Sequence, residues 1–219
     1  MSINNDDVSI LIRMSDISLQ IFQLIVLYAS LVVHEVSHGL AAYKLGDSTA
    51  KLAGRLSFNP LKHIDPFGTV ILPLSLILFQ SNFIICYAKP VPFNPNNFRN
   101  VKKGTMLTGL AGPLSNISLA IIFGLLIRSL NFFELLSPNL LSLLSIIVFL
   151  NVLFALFNLA PFPPFDGHHL VFSLLPDKFN GIKNFLATNY LFLTLTWIVF
   201  IFPYLIPLVY RLSMVIMGG

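Results

Sequence analysis

Polar and apolar residues in this chain segregate into long blocks rather than alternating. Apolar runs near 18 to 33, 105 to 127, 140 to 160 and 190 to 210 each reach the roughly 20 residues that a helix needs to cross a bilayer. A shorter apolar segment, Gly68 to Ala88, is interrupted by Gln80-Ser81-Asn82. The first run carries Lys44 in its last turn and Gly46 as a stop. The run near 140 to 160 is stopped by Pro161, Pro163 and Pro164, because proline removes a helical donor and clashes with the preceding turn. Turn signals at Gly54, Asn59-Pro60 and Asp65-Pro66 separate short strand-like stretches. The pattern predicts an all-α polytopic membrane protein: about four full transmembrane helices, a re-entrant hairpin and short extended strands at the membrane edge.

Composition narrows this further. Of 219 residues, 56% are hydrophobic and only 10% charged, with 21 Phe and a mean hydropathy of +0.83. A soluble domain carries about 25% charged residues, so this chain lacks the polar surface to cover a globule in water. The net charge of +4 comes from Lys and Arg strung between apolar runs, which reads as topology rather than as a nucleic-acid surface. Cys86 stands alone, in an apolar setting that suits a buried structural thiol. The N-terminal stretch sets Asp6, Asp7 and Asp16 against Arg13, and no small-residue cleavage site follows the first run. That run is therefore read as a retained span. The chain reads as one domain, 1–219, with a core of about 17–175 and a C-terminal span of about 190–210.

The first span contains His34-Glu35-Val36-Ser37-His38, an HExxH pattern. Residues i and i+4 share a helical face, so both imidazoles can meet one Zn²⁺ while the adjacent carboxylate reaches a water. Ionisable residues inside a membrane helix cost roughly 2.5–3.5 kcal/mol each and persist mostly where they face a partner or cavity. The bland alternative is a set of polar groups at the interfacial end of a span. A third ligand must come from elsewhere, and the candidates are His63, His168, His169, Asp65, Glu134 and Asp166. Depth favours Asp166. His34 lies 18 residues beyond Asp16, about 27 Å along a helix and near the far edge of a ~30 Å core. The helix from Asn139 to Ala160 brings Asp166 to its own far edge, so the two meet only if these helices run parallel.

Parallel helices require the 68–88 segment to turn back within the membrane, as a helix to Phe79 and a strand from Phe83 with the polar triplet at the tip. Charge agrees with this. With the hairpin, ten of the Lys and Arg residues fall on one side and Arg13, Arg128 and Arg211 on the other, whereas a full crossing divides them seven to six. The uneven division places the metal motif at the cytoplasmic edge.

Together HEVSH, AGPLSN at 111–116 and NLAPFPPFDG at 158–167 resemble the site-2 protease family of intramembrane zinc metalloproteases, in its compact prokaryotic branch. GDSTAKLAGRLSFNPLKHIDPFGT and AKPVPFNP add to the likeness, which covers roughly residues 30 to 175. The resemblance implies one Zn²⁺ per chain on His34, His38 and Asp166, with Glu35 as catalytic acid/base. It also implies Gly112, Pro113 and Asn116 in the active-site helix, with Asn116 toward substrate or oxyanion; the alternative for Asn116 is a hydrogen bond between membrane helices. After Asp166-Gly167 the chain departs from the family pattern with His168-His169, which keeps both histidines open as third ligands.

The implied activity is intramembrane zinc metalloendopeptidase, hydrolysing peptide bonds in or near transmembrane segments by zinc-activated water. The implied partners are a membrane-protein substrate with a transmembrane segment and the lipid bilayer of the cell membrane, with no nucleic acid. Lys51 to Phe58 and Ile84 to Phe93 are candidate edges for pairing with an unwound substrate. Oligomeric state is not legible in the sequence. Alternative readings are a membrane metal transporter or channel and a noncatalytic protease-like scaffold. The edge location and lack of repeats weigh against the first, and the intact Glu35 against the second.

Overall fold

Four long helical segments carry the fold in the computed structural model, which describes residues 17–79 and 86–219. Helix α1 (Ile17–Lys44) spans 28 residues, about 42 Å at 1.5 Å per residue. It ends at Gly46, whose φ of 108° is a conformation glycine adopts without strain. After short helices α2 (Thr49–Leu52) and α3 (Leu72–Leu78) comes α4 (Val101–Phe132), whose N-terminus is capped by the Asn100 side chain accepting from Lys103 N–H. Helix α5 (Pro138–Asn158) starts with the Ser137 hydroxyl as cap and proline in the first turn. Helices α6 (Gly167–Leu174) and α7 (Asn180–Thr188) follow. The last span joins α8 (Tyr190–Thr196) and α9 (Phe202–Met217) through a wide turn at Trp197–Ile201, where Pro203 supplies no N–H to the preceding turn. It runs past the expected Tyr210 to Met217 because Arg211 and Ser213 do not break it. Gly218 closes it with φ 97°.

Side-chain contacts set the directions. Leu19 and Phe22 of α1 pack against Ile146 of α5, Ser30 meets Asn151, and His34 meets Phe154. Helices α1 and α5 therefore run parallel. Helix α4 is antiparallel to both, since Thr108 lies beside His38 and Asn116 beside His34. Helix α9 descends along α5 from Phe202, against Phe157, to Met214 near Ile146. The four long segments fit the expected spans. Helices α4, α5 and α9 share a core of Ala120, Ile127, Leu144, Val148, Val152, Val209 and Met217, while many large apolar side chains such as Ile122, Phe192 and Phe200 face outward. That outward face is what lipid requires. Gly124 lets α9 approach α4, where an added methyl would collide with Ile216, and Arg128 Nε donates to the Ile216 carbonyl at 2.9 Å.

The chain between α1 and α4 begins and ends at the same end of the bundle. Asp47, fully buried, accepts from Thr49 N at 3.1 Å, Asn94 N at 2.7 Å and Asn97 Nδ2 at 2.7 Å. Those bonds tie the two ends of the connection together. Within it, Pro66–Leu78 is a continuous apolar helix, about 20 Å long over its 13 residues and too short to cross a ~30 Å core. Tyr87 N donates to Gly68 O at 3.2 Å and Thr69 Oγ1 to Tyr87 O at 2.9 Å, so the chain is back beside its starting point by Tyr87. The expected tip, Gln80-Ser81-Asn82, lies outside the described residues. Cys86 is buried beside Leu31 and Ala88, as expected of a structural thiol.

The expected edge strands are not present among the described residues. Lys51 to Phe58 opens inside α2 and then turns at Gly54. From Cys86 to Phe93 the backbone forms no ladder, because Pro90 and Pro92 have no N–H to donate. The remaining groups find single partners: Lys89 N donates to His63 O at 2.9 Å, and Lys89 O accepts from Arg55 Nη2 at 2.6 Å.

Asp47 supports a pH-dependent prediction. Burial opposes its charge, but hydrogen bonds from Thr49, Asn97 and Asn94 outweigh that and hold its carboxyl below the usual range. Such a group stabilises the fold above its unfolded pKa of about 3.9, and the contribution fades as pH falls through the lower folded value. Asp47→Ala should destabilise the detergent-solubilised protein by about 1–3 kcal/mol at pH 7, with the gap to wild type closing below about pH 4. Thermal melts across that range measure it.

Candidate metal centre

Three helices and one loop bring the HExxH residues to their neighbours. His34 and His38 sit one turn apart on the inner face of α1, 3% and 7% exposed. Their Nε2 atoms are 3.1 Å apart. Asp166 arrives from the turn after α5, with Oδ2 2.9 Å from His34 Nε2 and Oδ1 3.4 Å from His38 Nε2. That turn folds back because Phe162 and Phe165 bury against Trp197, and because Gly167 has no Cβ to strike the Leu159 and Ala160 carbonyls.

Hydrogen bonds on the far side of each ring fix where the imidazole protons are. His38 Nδ1 lies 2.6 Å from the Thr108 carbonyl, which can only accept, so Nδ1 carries the proton and Nε2 keeps its lone pair. For His34 the same conclusion is reached through two other helices. Asn151 Nδ2 donates to the Ile147 carbonyl at 2.9 Å and to Ser30 Oγ at 3.0 Å. Its Oδ1 must then accept, which it does from Asn116 Nδ2 at 3.0 Å. That leaves Asn116 Oδ1 facing His34 Nδ1 at 2.6 Å, where it takes the imidazole proton. In the neutral rings both Nε2 atoms thus present lone pairs, facing each other and a carboxylate.

Such a donor set fits a cation. Three lone-pair atoms within 4.8 Å of one another repel unless something positive sits among them, and two imidazoles with a carboxylate are ligands zinc accepts. Two further features agree. Asp166 Oδ2 is buried with no hydrogen-bond partner, and Gly112 of α4 leaves a cradle in front of the pair. A methyl there would lie within 2.6 Å of His34 Nε2 and closer still to His38 Nε2.

The remaining candidates lie apart from this group. His168 Nδ1 faces the Phe165 carbonyl at 2.6 Å, and His169 stacks on His168 and packs against Phe93. Burial keeps both imidazoles below their ordinary range, His169 down to about 4 with His168 beside it, so they stay neutral near pH 7. His63 is fully buried against the Ser57 carbonyl, Asp65 caps the helix that begins at Pro66, and Glu134 is exposed in the loop before α5. Asn116 lies behind His34. It has no exposed surface, and its amide is turned to His34 and Asn151. The interhelical bond weighed as the alternative is the one the structure contains.

Glu35 follows His34 directly on α1, and its Oε2 accepts from Val91 N at 2.8 Å. Gly39 permits this approach, since an added methyl would strike Leu56 and Val91. Sequence reasoning missed Asn151, although a lone asparagine in an apolar membrane run is itself a signal.

Comparison with known proteins decides the family. The "Putative zinc metalloprotease YwhC" of Bacillus subtilis (strain 168) is 40% identical over 165 residues, covering 73% of this chain and 72% of its own. The chain belongs to peptidase family M50. The profile of Peptidase family M50 matches residues 134–202, which include Asp166. The "Putative zinc metalloprotease Rip2" of Mycolicibacterium smegmatis is 28% identical over 139 residues, and that of Mycobacterium tuberculosis (strain ATCC 25618 / H37Rv) 27%. Each of these matches covers 64% of this chain, which spans about half of each mycobacterial relative, 51% of its length. No solved structure matches. Membership of this family, with four apolar helices, makes the chain a multi-pass membrane metalloprotease.

Two substitutions test the fit. Gly112→Ala should abolish stoichiometric zinc binding while leaving the helical circular dichroism unchanged. Asn151→Leu, which frees Asn116 to rotate, should weaken zinc retention against a chelator by about 10–100-fold. Competition titration with a chromophoric chelator reads both.

Proposed function

We propose that this M50 chain is an intramembrane zinc metalloendopeptidase that hydrolyses peptide bonds in or near the transmembrane segments of membrane proteins. The observation that carries the reading is the meeting of His34 and His38, each with an unprotonated Nε2, and the unbonded Asp166 oxygen between spanning helices. On this reading His34, His38 and Asp166 hold one zinc ion. When bound, zinc supplies a Lewis acid that polarises a carbonyl and lowers a water's pKa toward ~7.

The chain's own residues supply the rest. Glu35, one residue from a ligand, takes a proton from water and returns it to the leaving amine. Val91 N–H holds Oε2 of that carboxylate in place, leaving Oε1 for the proton. Asn116 positions His34 from behind instead of touching the substrate. The buried site, reached between helices, excludes bulk water and takes a segment that has locally unwound from its own helix.

The same reading places the 66–88 segment as a re-entrant element. Its support is the 13-residue helix and the return of Tyr87 to Gly68. Ten Lys and Arg residues then share the side of the site, which makes that side cytoplasmic in a cell membrane.

Zinc analysis of the purified protein, joined to cleavage of a membrane-embedded substrate, tests the proposal. Wild type should hold near-stoichiometric zinc, and His34→Ala and Asp166→Ala should lose it. Glu35→Gln should keep zinc while cleavage falls about 10²–10⁴-fold. Zinc retained in Asp166→Ala would remove Asp166 from the ligand set and return His168 and His169 to it. Retained zinc with no cleavage by wild type or Glu35→Gln would favour a noncatalytic scaffold.

A further inference from the structure

A second polar feature lies at the same end of the bundle but outside the metal cluster. The C-terminus of α1 and the N-terminus of α4 border an open cavity of about 460 Å³, on which Lys44, Arg99 and Lys103 are exposed. Its walls include Tyr43, Lys44, Phe98, Arg99, Asn100 and Lys103. Three cations therefore converge on one space, and among the described residues none of the three makes an ion pair or a side-chain hydrogen bond. The neighbouring acids are engaged elsewhere. Asp177 lies 3.3 Å from Lys102, and both oxygens of Asp47 are taken by Thr49, Asn94 and Asn97.

The placement runs against helix electrostatics. Lys44 stands at the carbonyl end of α1, where a cation is favourable. Arg99 and Lys103 crowd the amino end of α4, where the dipole is already positive, and no acidic residue stands in that first turn. Cations gathered at the wrong end of a helix call for an anion from outside. Sidedness of charge explains why basic residues lie on this face of the membrane, but not why three of them share a cavity.

Depth identifies the anion. Between Lys103 and Arg128, α4 carries no charged residue, a stretch of about 37 Å that accounts for the hydrocarbon core. The cavity opens just beyond that stretch, at the level of lipid phosphates. We propose that this cavity is a binding site for the phosphate of an anionic phospholipid headgroup, clamped by Lys44, Arg99 and Lys103 between α1 and α4. Asn100, whose Oδ1 already caps α4 through Lys103 N–H, adds its side-chain amide N–H₂ to the lining. The inference does not depend on the metal site or on catalysis.

The test uses the full chain in nanodiscs of phosphatidylcholine, of phosphatidylcholine with phosphatidylglycerol, and of phosphatidylcholine with inorganic phosphate in the buffer. Retained lipid is counted by native mass spectrometry, and the thermal midpoint is measured in parallel. Wild type should retain phosphatidylglycerol and melt higher in its presence. The Lys44→Gln, Arg99→Gln, Lys103→Gln triple variant should lose about fivefold in retention per cation removed. A control triple, Lys62→Gln, Lys178→Gln and Lys183→Gln, removes equal charge outside the cavity and should retain lipid as wild type does. If the cavity triple does not yield monodisperse protein, Arg99→Gln alone carries the comparison. Equal loss in the control triple, or unchanged retention in the cavity variants, would overturn the site. Inorganic phosphate that raises the midpoint as much as phosphatidylglycerol and displaces it would overturn the lipid assignment.

Discussion

Two imidazole lone pairs and a carboxylate oxygen share a space about 3 Å across only when a metal cation or a proton holds them together, and the bundle is organised around that demand. With both rings buried, little water relieves the repulsion, so the protein fixes a proton of each ring on the side away from the cluster. It does so with one backbone carbonyl directly, Thr108 O against His38, and with another at a distance, Ile147 O through Asn151 and Asn116 to His34. The second route needs α1, α4 and α5 in one register, with α1 and α5 parallel and α4 antiparallel. Helix direction and imidazole tautomer are therefore one problem with one solution.

The short connection between α1 and α4 serves the same end. Asp47 gathers its two ends with hydrogen bonds, Gly39 lets the Leu56 and Val91 side chains lie on α1, and the Val91 N–H reaches Glu35. The prolines that prevent this stretch from forming a ladder leave it extended, with one donor available for the carboxylate. A loop without regular structure thus sets the orientation of the residue beside the ligands.

Much of this was legible in the sequence because bilayer thickness ties apolar length to geometry. The four spans, His34 and His38 on one face, and the approach of Asp166 all follow from rise per residue and from the parity of crossings. What escaped was encoded in contacts rather than in periodicity. Pro90 and Pro92 remove the donors that a strand over Ile84 to Phe93 needs, a consequence of their chemistry rather than of the apolar pattern. Asn116 was correctly marked as a member of the active-site helix, yet its direction depends on Asn151, which lies 35 positions away in the chain. The Thr108 contribution is a main-chain carbonyl, on which residue identity is silent. Gly112 acts through an absent side chain, and such a role becomes visible only when its neighbours are in place.

The 13-residue helix Pro66–Leu78 stands among segments of 21 to 32 residues. As the re-entrant element proposed above, this helix of about 20 Å would be shorter than the bilayer core, so lipid along its flank would meet a hydrophobic mismatch that the long spans do not impose. The membrane relieves such a mismatch by thinning locally or by admitting headgroups and water closer to its midplane. On the proposed function, a substrate helix reaching this flank would find its terminal turns already wetted, which would lower the cost of breaking their hydrogen bonds.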